Sequence, residues 1–211
     1  RASVLLEDAR RGGKPVSIRS PKDAFELGIG MIHQHFKLVE VLTAAENVVL
    51  GMPGGLLLSR RALREKLTGI ARKYGFALDP DKKIYRMSVS EKQTVEIIKV
   101  LYCGAEILIL DEPTAVLTPQ ETDKLFDVLR AMKRDGKAII IITHKLSEVL
   151  AISDRVTILR KGRYVDTVET ARTNVRALSE MMVGREMELE IERSAPKPVP
   201  LCQLRELSVR H

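Results

Sequence analysis

Two aliphatic runs, Ile107-Leu108-Ile109-Leu110 and residues 138–143, bracket one long helical pattern, and this strand–helix–strand order constrains the fold most. Parallel strands joined by a helix must be covered by helices, so such runs read as buried strands of a parallel sheet. The periodicity predicts the intervening helix over 119–134, a further helix over 145–151, and a third strand of the same alternation over 155–159, turning at Lys161-Gly162. The first run ends in Asp111-Glu112-Pro113. Carboxylates just past the carboxyl edge of such a sheet stand where α/β proteins place catalytic groups. An Asp there can hold magnesium through its waters, and an adjacent Glu can polarise an attacking water. Such a pair normally works with a phosphate-cradling G-x-x-x-x-G-K-[ST] loop earlier in the chain, and no match occurs among these 211 residues.

Upstream, Gly12-Gly13-Lys14-Pro15 reads as a turn between strand-like runs at 4–6 and 16–18. Ser20-Pro21 opens a short helix, and residues 28–33 read as a buried strand leading to Gln34. From 43 to 103 the pattern turns helical. Thr43-x-x-Glu46 is a capping box, 59–75 is an amphipathic helix stopped by Gly75, and Ser88-x-x-Glu91 is a second box opening a helix through Tyr102. Residues 193–200, rich in Pro, read as a stiff linker, and 201–209 as the start of a new strand.

Composition narrows the function classes. A net charge of +7 could suggest nucleic acid, but acidic and basic residues alternate along the helical patterns. Aromatics are 4% and Trp is absent, whereas stacking on single strands needs aromatics. Nucleic acid is not the expected partner. No apolar run reaches bilayer length and nothing at the start resembles a signal peptide, so the chain itself is expected to be soluble. Cys103 and Cys202 have no metal-ligand spacing and read as free thiols of a reducing compartment.

Met87-Ser88-Val89-Ser90-Glu91-Lys92-Gln93, then the strand with Asp111-Glu112, then a strand ending in Thr143-His144, follow one another in fixed order. With Gln34 upstream, this set resembles the nucleotide-binding domain of ABC-type ATPases, where an L-S-G-G-Q signature precedes the acidic strand and a switch His ends the next. Residues 88–101, 110–120 and Met181-Met182-Val183-Gly184-Arg185 resemble the ATP-binding proteins of simple-sugar and nucleoside importers, which fuse two such domains in one chain. The resemblance implies an α/β fold: a partial P-loop NTPase (RecA-like) core with a parallel sheet and an inserted helical subdomain. It divides the chain into core up to the Q-loop (1–42), helical subdomain ending in the signature helix (43–104), core with the acidic strand and switch His (105–190), and linker plus first strand of a second domain (191–211).

The resemblance further implies ATP and magnesium as cofactors. Glu112 would be the base for water and His144 would orient that water and touch the γ-phosphate. Asp111 and Gln34 would approach the metal, partly through water. Ser88, Val89, Ser90 and Glu91, at a helix start with free amides, would hold the γ-phosphate of ATP bound on the opposing domain. Ser90 stands where the family usually has Gly, and Thr118 where many members have Asp. His33 and His35 read as loop residues rather than metal ligands. Implied partners are transmembrane permease subunits, a second nucleotide-binding domain and, indirectly, a solute-binding protein, at the cytoplasmic face of the membrane. Two other readings stay open: a soluble ABC ATPase acting on DNA or ribosomes, and a catalytically silent fragment.

Overall fold

The computed structural model describes residues 10–11, 13–52 and 59–184, in two compact units divided after Ser153. In the first unit, β1 (Arg10–Arg11) and β2 (Lys14–Pro15) form a small antiparallel hairpin turning through Gly13 at φ +79°. The strand expected over 16–18 does not form. A tight hairpin closes on the residues flanking its turn, so the ladder ends at Pro15 and the chain runs without regular structure into the Ser20 cap. The run at 4–6 lies outside the described residues, as does the 191–211 segment.

The expected sheet is present as β3 (Ile29–Ile32), β4 (Ile107–Asp111) and β5 (Ala138–Ile142), parallel in the order β3-β4-β5. Helices α1 (Pro21–Glu26), α2 (Ala44–Val49), α3 (Arg60–Tyr74), α4 (Val89–Tyr102), α5 (Pro119–Arg134) and α6 (Leu146–Ile152) complete this unit, with a 3₁₀ turn at Ile84–Arg86. Thr43, Ser88 and Thr118 each cap their helix in a full capping box with Glu46, Glu91 and Glu121. Each box satisfies an orphan amide at both ends of the first turn.

Strand side chains alternate between faces. Gly30, Ile32, Leu108, Leu110, Ile139 and Ile141 share the face that packs on α4 and α5 around Ile97, Val100, Leu125, Leu129 and Met132. The opposite face carries Met31, Ile140 and Ile142, exposed at 38%, 50% and 48%, beside half-buried Ile107 and Ile109. The expectation that the β4 run is buried on both faces therefore holds for one face only, because helices cover only that side among the described residues.

Helix α4 belongs to two cores. Ile97 and Val100 face the sheet, whereas Val95 and Ile98 pack with α2 and α3 around Val48, Leu67 and Ile84. A helix apolar on two sides is an internal wall rather than a surface helix.

The second unit corrects the third-strand expectation. β6 (Arg155–Arg160) pairs with β7 (Arg163–Glu169), antiparallel, across Lys161-Gly162. Both turn residues have positive φ, +50° and +73°, the geometry that returns a strand on itself within two residues. Two residues join β6 to β7, so this pair can only be antiparallel, and it forms a two-stranded sheet of its own rather than extending β3-β4-β5. α7 (Val175–Val183), capped by Asn174, was not anticipated as a helix and completes this unit.

The capping carboxylates give a pH dependence. The Lys82 ammonium, then the Ser88 amide, holds Glu91 below its ordinary value, and the Thr43 amide does the same for Glu46. A carboxylate whose folded value is depressed stabilises the fold above its unfolded value, near 4.5, and that stabilisation is lost as pH falls through the lower folded value. The thermal midpoint should therefore fall as the pH drops below about 5. Glu91→Gln should flatten the slope in a circular-dichroism titration, and an unchanged slope would contradict the assignment.

Candidate functional site

β4 delivers Asp111 and Glu112 to the carboxyl edge of the sheet, and the backbone turns sharply there. Glu112 takes φ +47°, rare for a residue with a side chain, and its N–H is held by the Ile142 carbonyl at 2.8 Å. This turn folds the Glu112 carboxylate toward the end of β5. Its Oε1 lies 2.8 Å from His144 Nδ1, and Thr143 Oγ1 lies 3.5 Å from Oε2. The carboxylate is mostly enclosed, 18% exposed, while the imidazole is 73% exposed. His144 thus offers one nitrogen to Glu112 and the rest of its ring to whatever enters from solvent.

Gln34 sits in the loop after β3 and lines a cleft of about 80 Å³ with His33, His35, Asp111 and Glu112. The structure therefore brings together four of the expected residues: Gln34, Asp111, Glu112 and, through its contact, His144. Ser88, Val89, Ser90 and Glu91 do not line this cleft. They form the first turn of α4, where Ser88 and Ser90 hydroxyls lie 3.1 Å apart and Glu91 is paired with Lys82 at 2.6 Å. Glu121, opposite, is held below its ordinary value first by the Thr118 amide and then by the Ser90 hydroxyl. Thr118 itself is spent as the cap of α5.

Asp111 and Glu112 supply hard oxygen donors beside an amide, a set that suits magnesium shared with phosphates and water better than an all-protein cage. No group of three His, Cys, Asp or Glu among the described residues is placed to hold a metal ion.

Several polar residues at the site were not anticipated. Gln93 is buried and donates to the Pro113 carbonyl at 2.7 Å, fixing α4 to the acidic loop. Glu96, also buried, accepts from the Lys37 amide at 2.7 Å. Asn47 brackets Val39, accepting from its N–H at 2.7 Å and donating to its carbonyl at 3.0 Å. Lys92 pairs with Glu40 at 2.7 Å. The strap that follows Gln34 is thereby tied to α4 and α2. A signal was present: Gln93, Glu96 and Asn47 interrupt otherwise apolar helix stripes, and a buried polar side chain requires a partner.

The family model described as ABC transporter matches residues 8–115, just over half of the chain. The chain belongs to the ABC transporter family. Among curated relatives of this ABC chain, the nucleoside import ATP-binding protein NupA of Lactococcus lactis subsp. cremoris is 44% identical over 94% of the chain. The guanosine import ATP-binding protein NupO of Bacillus subtilis is 44% identical over 90%, and the glucose import ATP-binding protein TsgD13 of Haloferax volcanii 42% over 93%. The chain spans 40%, 38% and 41% of their lengths, respectively. The solved structure of cbiO1 from Clostridium perfringens, part of the ABC transporter complex cbiONQ, superposes with a TM-score of 0.63 at 26% identity, covering 85% of this chain and 71% of that one. The dimeric ATP-binding cassette MJ0796 bound to ADP and Pi, 22% identical with a TM-score of 0.60, shares the fold; the match covers 72% of this chain and 68% of that one. The fold is that of the P-loop NTPase ABC cassette, with parallel sheet and covering helices. Among the described residues no helix is long and apolar enough to cross a membrane.

Proposed function

We propose that this chain is part of an ATP-binding subunit that powers import of simple sugars or nucleosides through transmembrane permease subunits at the cytoplasmic face of the membrane. The observation that carries the reading is the cleft uniting Gln34 with Asp111 and Glu112, together with the 2.8 Å contact from Glu112 to His144. The printed names of the relatives, nucleoside, guanosine and glucose import ATP-binding proteins, support the substrate class.

In this reading Glu112 accepts the proton of the attacking water. Its carboxylate is enclosed and already oriented by His144, so little reorganisation precedes proton transfer. His144, exposed beyond that contact, presents the remainder of its ring to the terminal phosphate. Asp111 and Gln34 would hold magnesium, which neutralises charge on the phosphates when bound. At the helix start formed by Ser88, Val89, Ser90 and Glu91, the capping box occupies the Ser88 and Glu91 amides, and the amides of Val89 and Ser90 between them face an anion. Because they stand apart from the cleft, their phosphate belongs to ATP held by a second nucleotide-binding domain. Residues 1–42 and 105–190 act as core, 43–104 as the helical subdomain that meets the permease, and 191–211 as the way into the second domain. A solute-binding protein acts only through the permease.

Most nucleotide affinity in such sites comes from a glycine-rich loop whose amides and Lys cradle the phosphates. Residues 1–211 hold no such loop. The chain alone should therefore bind ATP with a dissociation constant weaker than about 1 mM, read by isothermal titration in excess magnesium. Joining a G-x-x-x-x-G-K-[ST] segment upstream should tighten it to micromolar. Micromolar affinity without that segment would overturn the two-part site.

A further inference from the structure

Three residues that the site above does not use connect its two halves. Thr114 is fully buried, two residues past Glu112. Its hydroxyl donates to Glu148 Oε2 at 2.5 Å. Lys145, the residue after His144, sends its ammonium to the Thr114 carbonyl at 2.9 Å, to the Thr114 hydroxyl at 3.2 Å and to Glu148 Oε1 at 3.1 Å. An ammonium has three donors, and these three acceptors use all of them. The Lys145 amide meanwhile donates to Thr143 Oγ1 at 3.1 Å, tightening the turn that presents His144.

An exposed Lys–Glu pair three apart on a helix contributes little. This one differs because it closes around a buried hydroxyl on another strand's loop, and Glu148 is 16% exposed. The acidic loop at 112–114 and the histidine loop at 143–145 are otherwise joined by the Glu112 backbone bond to Ile142, by the long 3.5 Å contact from the Thr143 hydroxyl to Glu112, and by the His144 contact that the chemistry must itself use. We propose that Lys145, Glu148 and Thr114 form a tether that fixes the separation of the Glu112 and His144 loops, making them positioning residues for water activation. The proposal rests on the reading of Glu112 as the base. None of the three lines the cleft of Gln34, Asp111 and Glu112, so loss of the tether leaves binding intact and disturbs only the register between base and histidine.

The test uses the full-length protein, with turnover expressed per bound ATP so that a misfolded fraction cancels. Thr114→Val, Lys145→Met and Glu148→Gln should each lower turnover per bound ATP about tenfold, the scale of a modest misplacement of reacting groups, at unchanged KM. Thr114→Ser keeps the hydroxyl and should retain turnover within about twofold. Should Thr114→Val fail to fold, Glu148→Gln reads the same quantity with its shape preserved. Unchanged turnover per bound ATP in all three variants, or loss of bound ATP in proportion to activity, overturns the tether. Glu112→Gln is run alongside. If it is inactive while the three variants are normal, only the tether fails; if it is fully active, the reading of the site fails first.

Discussion

Replacing Glu112 by Gln should reduce hydrolysis at this site of the intact protein by about a thousandfold, within the span general-base catalysis contributes, while ATP binding changes less than about twofold. The geometry makes this a clean substitution. The amide is isosteric, its oxygen can still accept from His144 Nδ1, and the N–H that anchors the φ +47° turn to the Ile142 carbonyl is main chain and unaffected. What is lost is the ability to accept a proton. Single-turnover hydrolysis with the second domain's base also replaced isolates this site, and equilibrium ATP binding runs in parallel. Turnover within tenfold of the parent protein would remove Glu112 from the role of base.

A second large effect is expected far from any charge. A Cβ built on Gly30 would lie 1.9 Å from Val100 Cγ1 and 3.2 Å from Ala105 Cβ. The clash cannot be relieved by a flexible tip, because a valine on a helix has one strongly favoured rotamer. Helix α4 itself would have to move away from β3. Gly30→Ala should therefore destabilise the fold by about 2–3 kcal/mol, in the range of overpacked cores. For a chain of this size that lowers the melting midpoint by roughly 5–10 °C. Val100→Ala added to Gly30→Ala returns the volume and should restore most of the midpoint, measured by calorimetry. A double variant no more stable than Gly30→Ala alone would show that the contact is not the cause.

These two predictions also mark what could be read from residues alone. The strand ending in Asp111-Glu112, the capping boxes at Thr43 and Ser88, and a parallel sheet interrupted by helices were legible because each rests on local periodicity or a short fixed spacing. The ABC membership was legible because several short motifs follow in order. The strand at 155–159 was placed in the parallel alternation, although the Lys161-Gly162 turn read with it returns the chain antiparallel, since periodicity finds a strand but not its partner. The two-sided burial of α4, the Gly30 approach and the Thr114–Lys145–Glu148 cluster join residues about 30 to 70 positions apart, beyond the reach of any local pattern. In the site, Gln34 and Asp111-Glu112 fall in one cleft, while the side chains that fix them in place went unseen.

The sheet's second face has a consequence for how any such variant behaves. Met31, Ile140 and Ile142 present to solvent a surface of the kind parallel sheets ordinarily bury. Folding of this chain by itself therefore gathers hydrophobic free energy from one side of the sheet and from the core between α2, α3 and α4, and its margin over the unfolded ensemble is smaller than it would be with the second sheet face covered. A given energetic loss converts into an unfolded fraction according to that margin. The same substitution that is silent when the bare face is covered can thus empty the native state when it is not, so tolerance to mutation here is a property of the face as much as of the residue changed.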